Sequence, residues 1–486
     1  MTSFASLPVA VIGAGPVGLA AAAHLIARGL PVKVYEAGES VGANVRAWGH
    51  VRLFSPWKFN VDPAARTLLQ RHGWQEPPAD IYPTGHELAD AYLAPLAETP
   101  ELAAVIDTGA RVGAIGRHGI DKVTSRGREG RPFTLTIKDA RGGTRRDLAR
   151  AVIDASGTWT TPNPLGAAGL PATGETALAD RIAYGIPDVL GRDRAAYADR
   201  VTLVLGAGHS AANVLLDLDR LSARAPATTM VWVTRGTDLK RVFGGGASDQ
   251  LAARGELGSR LKDLVDSGRV TLVTGFAVTT LRTEGGRLMV EGDTAEGPRA
   301  LGPVDRIVAA TGQRPDLALT RELRLDLDPW LESTKALGPL IDPNLHSCGT
   351  VYPHGHRELS HPEAGFYTVG IKSYGRAPTF LMMTGYEQVR SISAALAGDL
   401  AAADNVQLVL PETGVCSGVD GQGCDVPAAA VAAGCCGGPA PVSVDACCAD
   451  DAKAKAATGE GCGCATTPPK VEAVTTARRC GPASQS

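Results

Sequence analysis

Apolar and polar positions along the chain fall into blocks that recur. From Pro8 the pattern opens on a continuous apolar run, Val9, Ala10, Val11 and Ile12, breaks at a cluster of glycines, and resumes as an alanine- and leucine-rich stretch to Ala27. A short run without polar alternation predicts a buried strand, and the longer stretch behind the glycines predicts a helix. The same order of strand, glycine turn and helix returns at Val201–Asn213 (VTLVLGAGHSAAN). Behind each copy come alternating, turn-broken stretches, Phe133–Asp154 and Val270–Ala310, whose pattern predicts β-hairpins. They close alike, in DASG (154–157) and AATG (309–312).

This repetition predicts an α/β protein in which one dinucleotide-binding domain carries a second inserted into it. Residues 1–160 and 303–410 would form the first domain and 161–302 the second. From residue 411 to 486 the chain holds no Phe, Trp, Tyr, Leu, Ile or Met, so it cannot build a core and is expected to be a flexible tail.

In the first copy Gly13, Gly15 and Gly18 fall in the spacing G-x-G-x-x-G, with Ala14 and Pro16 between them. Each glycine answers a different steric demand: a tight turn, close approach of the backbone to a pyrophosphate, and close packing of helix on strand. The helix N-terminus then offers free N–H groups and a positive dipole end to the anion. A second strand, PVKVYE, ends in Glu36, whose carboxylate can hold a ribose diol.

In the second copy Gly206, Gly208 and Ala211, with His209 and Ser210 between them, give the variant G-x-G-x-x-A. Its partner strand, Met230–Thr234, ends in Arg235 instead of an acid. A cation there favours a 2′-phosphate, and so NADPH over NADH. Lys240 and Arg241 could help, or all three could form a solvated basic edge.

At 486 residues, 44% hydrophobic and 20% charged, the chain can bury two or three cores. Its net charge of -3 and the absence of a long basic run argue against nucleic acid or an anionic membrane as partner, leaving a small-molecule substrate. The apolar stretch Pro8–Ala27 lacks a basic leader and is broken by Gly13, Gly15, Pro16 and Gly18, so it is not read as a signal or anchor. A cytoplasmic protein is expected.

Together these motifs resemble the two-dinucleotide-binding-domain flavoproteins, and more narrowly the flavin-dependent monooxygenases of the flavin-containing and Baeyer-Villiger types. The resemblance covers about residues 8 to 400. It implies an FAD-binding Rossmann-like domain of three-layer ββα build, with an inserted NAD(P)-binding Rossmann domain. It implies further that FAD sits at the first turn with Glu36 on the adenosine ribose, and NADPH at the second. AATGQRPD (309–316) looks like the family's return link, which would put Thr311 and Gly312 near the flavin. YPTGHELADAYL (82–93) is similar to a loop and helix beside the flavin, and GFYTVGIKSYGRAPTFLMMTGYEQ (365–388) to the last FAD segment, whose strand ends at Gly370.

Two departures stand out. The family's Asp after that last glycine is missing, its place taken by Ile371, Lys372 and Ser373. The linker YGIPDVLGRDRAAY (184–197) lacks the monooxygenase histidine. With a tail of CCGGPAP and ACC type, the chain also resembles the monooxygenase-like flavoproteins of bacterial arsenic-resistance gene clusters.

The expected chemistry is hydride transfer from nicotinamide to flavin, then oxygen delivery to a soft lone pair such as sulfur or trivalent arsenic. An alternative is a reductase passing electrons to a metalloid, a quinone or tail thiols, and a non-enzymatic alternative is a redox-sensing or metal-carrying flavoprotein. A disulfide relay is disfavoured because Cys348 is the only cysteine before residue 410. His354, His356 and His361 could ligate a metal, act as acid and base, or be ordinary loop residues. Lys372, Tyr374 and Arg376 are candidate substrate or flavin contacts, and no catalytic side chain is assigned. In the tail, Cys435, Cys436, Cys447, Cys448, Cys462 and Cys464 form pairs suited to trivalent arsenic or a soft metal ion.

Overall fold

Val9, Ala10, Val11 and Ile12 are all buried and form strand β1 (Val9–Ile12), the centre of a five-stranded sheet. Its other strands are β2 (Val32–Tyr35), β3 (Ile106–Asp107), β7 (Ala151–Asp154) and β16 (Phe366–Thr368), in the order β16-β7-β1-β2-β3. Every pairing is parallel, with Val9 opposite Val32 on one side and Ala151 on the other. Alternate residues of β1 serve two cores: Val9 and Val11 face the helices, Ala10 and Ile12 the opposite layer. The run is apolar throughout because both faces of the sheet are covered.

The helices α1 (Pro16–Ala27), α2 (Pro63–Arg71) and α5 (Met382–Leu396) cover one face. An antiparallel meander of β4 (Arg111–Arg117), β5 (Phe133–Lys138) and β6 (Thr144–Ala149) covers the other. In β5 buried and less buried residues alternate, and Phe133, Leu135 and Ile137 point inward.

The same three layers are built a second time around β9 (Val201–Leu205). Its parallel sheet adds β8 (Ile182–Tyr184), β10 (Thr229–Val233), β11 (Thr271–Val273) and β15 (Arg306–Ala309), in the order β11-β10-β9-β15-β8. Helices α3 (His209–Ser222) and α4 (Ala252–Asp266) take one face. The meander β12 (Ala277–Glu284), β13 (Arg287–Thr294) and β14 (Gly297–Val304) takes the other. The computed structural model describes residues 4–244, 252–345, 353–377 and 380–408, all within one compact unit, Met1–Gly418.

Two sequence readings need correction. The stretches expected to be hairpins are part hairpin and part parallel strand, since the first ends in β7 and the second holds β11 and β15 at its ends. A short apolar run looks the same in either setting, and only its pairing decides. The return to the first domain, expected near residue 303, comes after β15, because Arg306–Ala309 pairs with β9 on one side and β8 on the other.

The two passages between the domains are clipped side by side. Pro162 and Gln313 form an antiparallel bridge. Asn163 donates its backbone N–H to Gly312 O (2.9 Å) and its amide to Thr311 O (3.0 Å), and the Thr311 hydroxyl donates to Asn163 O (2.7 Å). Arg314 donates to Asn163 Oδ1 (3.0 Å). Among the described residues no helix is long and apolar enough to cross a membrane. The tail, with its cysteine pairs, and Cys348 lie outside the described residues.

Candidate functional site

Strand β1 has β2 on one side and β7 on the other, so a crevice opens beyond the carboxyl ends of β1 and β7, the place where open α/β sheets hold ligands. The three glycines that follow β1 differ in what surrounds them. Gly13 has φ +95°, and a Cβ there would stand 2.8 Å from Ala155 O. At Gly18 a Cβ would meet Gly13 O at 1.9 Å. At Gly15 it would meet nothing within 4 Å, so open space lies before the N-terminus of α1, which has no side-chain cap. That combination of room and uncapped donors fits a pyrophosphate.

Glu36, 9% exposed, accepts from Ala14 N–H (2.7 Å) and Gly38 N–H (2.8 Å). The carboxylate expected to hold a ribose diol thus ties the glycine turn to the end of β2. Pro16 fills the first position of α1, where a missing N–H costs nothing.

The second crevice repeats the plan. Gly206 has φ +140°, and a Cβ there would lie 2.2 Å from Ala310 O, whereas Gly208 again faces open space. Helix α3 starts at His209 and Ser210 without a side-chain cap, and Ala211 is fully buried where the first copy has Gly18. Trp232 pins the turn by donating from Nε1 to Gly206 O (2.8 Å). Arg235 is exposed at the end of β10 and donates to Ala167 O (3.0 Å). The His209 ring stands 5.4 Å from that of Phe54, so a first-domain residue touches the rim of the second crevice.

Other sequence candidates make contacts within the protein. Gly370 (φ +69°) donates its N–H to Gln388 Oε1 (2.8 Å) and opens a turn through Tyr374. Thr311 and Gly312 belong to the crossing ribbon described above. Lys372 and Tyr374 are buried, whereas Arg376 is exposed and held in an ion pair. Lys372, 1% exposed, pairs with Asp154 (2.7 Å). Tyr374 packs against the rings of His354 and Phe380, where burial pushes its phenol up, and Arg376 pairs with Glu332 (2.7 Å).

The three histidines go to separate partners. His354 Nε2 lies 2.8 Å from Gln388 Nε2, His356 Nε2 lies 2.9 Å from Asp404 Oδ1, and His361 Nδ1 accepts from Asp326 N–H (3.3 Å). Burial lowers the His361 imidazole to about 4, a neutral core histidine and not an acid–base group at pH 7. Among the described residues no group of three or more His, Cys, Asp or Glu could hold a metal. The sequence reading gave no site role to Asp154, Ser156 or Gln388; the first two stand in the DASG that echoes AATG, and Gln388 is a polar residue inside α5.

A family model described as an NAD(P)-binding Rossmann-like domain matches residues 11–75. No curated protein matches the sequence. The fold is that of several solved oxidoreductases. Bacillithiol disulfide reductase of Bacillus cereus superposes with a TM-score of 0.59 at 17% identity, covering 81% of this chain and 99% of that one. The FAD-bound cadaverine monooxygenase of Erwinia amylovora gives 0.57 at 14% identity, over 85% and 98%. Ornithine hydroxylase of Pseudomonas aeruginosa gives 0.55 at 16% identity, over 81% and 99%. At such identities the likeness is one of fold.

Proposed function

We propose that this chain is an oxidoreductase holding FAD in the first crevice and a nicotinamide dinucleotide, NADPH by preference, in the second. The observation that carries the reading is the pair of open glycine turns, each before an uncapped helix at the carboxyl edge of its own parallel sheet. Two such crevices in one compact unit suit a relay between two redox cofactors. The FAD-bound monooxygenase of the same fold supports the assignment of the first crevice.

Bound FAD would supply a hydride acceptor and a means of activating oxygen. The chain's own part is to hold and orient. Val17 and Gly18 offer first-turn N–H groups to one pyrophosphate, and the first turn of α3, with Ser210, to the other. Glu36 fixes the first turn, and Arg235 is placed for a 2′-phosphate. Closely held cofactors remove much of the entropic barrier to hydride transfer.

Within this class we read the protein as a monooxygenase acting on a soft nucleophilic centre, trivalent arsenic or sulfur, as in an arsenic-resistance setting. Supporting this, one cysteine before residue 410 cannot form a dithiol relay beside the flavin, while nine cysteines follow Leu410. Thiol pairs such as Cys435 with Cys436 and Cys447 with Cys448 suit capture of a soft ion. Those same thiols would be the acceptors if the protein were instead a reductase.

The test is anaerobic mixing of the flavin-loaded protein with NADPH or NADH, followed by flavin absorbance, then admission of oxygen with and without arsenite. The expected result is fast bleaching, faster with NADPH, and oxygen uptake that depends on arsenite. Bleaching with arsenite-independent, slow reoxidation would move the assignment to the reductase. No bleaching with either nucleotide would overturn the oxidoreductase reading.

A further inference from the structure

Lys372 ranks with Trp232, Tyr92 and Phe133 among the largest fully buried side chains. An ammonium taken out of water is costly unless paired, and even a paired one rarely outperforms apolar packing, so geometry is what such a pair contributes. Its partner Asp154 is fully buried at the end of β7. The pair is closed by Ser156. Asp154 Oδ1 accepts from Ser156 N–H (3.1 Å) and from the Ser156 hydroxyl (2.7 Å), while Lys372 Nζ donates to Ser156 Oγ (3.0 Å) and to Asp154 Oδ2 (2.7 Å).

The hydroxyl is therefore fixed. Its proton is committed to Asp154 and one lone pair to Lys372, leaving one lone pair as an acceptor. Its position matters too, because a Cβ built on Gly13 would come within 3.1 Å of Ser156 Cα. Ser156, half-buried, therefore stands on the β7 side of the first crevice, beside the turn that leads to Gly15.

We propose that Ser156 is a ligand contact of the first crevice, accepting a hydrogen bond from a hydroxyl of the bound dinucleotide, and that Lys372 and Asp154 are the positioning residues that set it. The inference rests on the reading of that crevice as the FAD site. Lys372, two residues beyond Gly370, holds the Ser156 hydroxyl from a buried position.

The test titrates the full-length apoprotein with FAD, following flavin fluorescence, alongside urea unfolding of each apoprotein. Ser156→Ala keeps the ion pair and is expected to weaken FAD binding about tenfold with little change in urea midpoint. The double variant Asp154→Asn/Lys372→Met strands no buried charge, and is expected to fold and show a similar loss. Adding Ser156→Ala to that double variant should cost nothing further, as for groups acting as one unit. FAD binding by Ser156→Ala equal to that of the unaltered protein, or losses that simply add, would overturn the proposal. Failure of the unaltered protein itself to take up FAD would instead refute the FAD reading and the contact with it.

Discussion

Arg117 and Glu363, 246 residues apart in sequence, meet at 2.7 Å with side chains 2% and 1% exposed. Arg128 takes the other carboxylate oxygen at 2.7 Å, and the Arg324 N–H reaches it at 2.9 Å. The Arg117 guanidinium lies 3.7 Å from the centre of the Phe133 ring. Burial pushes the Glu363 carboxyl up, but the hydrogen bonds from Arg128 and Arg117 outweigh it and hold the group below its ordinary range. One carboxylate thus fastens β4 of the first meander to the segment that leads into β16.

Removing that carboxylate leaves two guanidinium groups in a site nearly free of water. Glu363→Ala is expected to cost about 3–5 kcal/mol of stability, measured as a lowered urea midpoint. The folded-state value of Glu363 is depressed, so its contribution is present above the unfolded value and lost as pH falls through the folded one. The variant should therefore lose less stability than the unaltered protein between pH 6 and pH 3, and an equal loss in both would contradict the assignment.

His361 works in the opposite chemical sense with the same pH direction. Its ring is neutral when folded, with Nε2 buried and unpartnered among the described residues, and it titrates at about 4 against 6.5 in the open chain. Between those values the unfolded chain binds the proton and the folded one does not, so stability falls as pH drops from 6.5 towards 4. The full effect is about 3 kcal/mol. His361→Phe should flatten that limb in urea melts taken at pH 7, 5.5 and 4.5, and an unchanged slope would show that another group sets it.

The glycines of the first turn separate folding from binding. Gly15→Ala places its methyl in open space at φ −80°, so the apoprotein should keep its stability within about 1 kcal/mol while FAD affinity falls tenfold or more. Gly18→Ala drives a Cβ to 1.9 Å from Gly13 O and should destabilise the apoprotein by about 2 kcal/mol or more. Calorimetric titration with FAD and urea melts on both variants check this, and a Gly15→Ala protein with normal FAD affinity would place the phosphates elsewhere.

Arg235 is exposed and held by one bond to Ala167 O. Arg235→Ala is expected to raise KM for NADPH about tenfold and to leave that for NADH within about twofold, as loss of a single phosphate contact should. Equal effects on both nucleotides would remove the argument for a 2′-phosphate.

A chain ending at residue 410 keeps every described contact, including the bond from Gln407 N–H to Glu387 Oε1 (3.3 Å). It is expected to melt with the full-length protein and to bind FAD equally, while losing thiol-dependent binding of arsenite. Loss of FAD on truncation would tie the tail to the first crevice.

Much of this architecture is legible in the amino-acid order because two demands coincide. A strand buried on both faces must be largely apolar, and a turn admitting a pyrophosphate must be glycine; Val9–Gly15 satisfies both, and Val201–Gly208 does so with Thr202 as its one polar residue. The ends of the hairpin stretches are not legible, since Ala151–Asp154 and Arg306–Ala309 differ from hairpin strands only in their neighbours. Nor are the buried charges. Lys372 and Asp154 lie 218 residues apart, and a lone lysine in a glycine-bounded turn reads as exposed until its partner is known.

The insertion imposes an order on synthesis. All five strands of the second sheet have left the ribosome once Ala309 has, whereas the first sheet waits for Phe366–Thr368 as its edge and α1 waits for α5, ending at Leu396, as its cover. The domain begun first is thus the one completed last, and its early half, with the apolar Val9–Ile12 strand, depends on shelter until then.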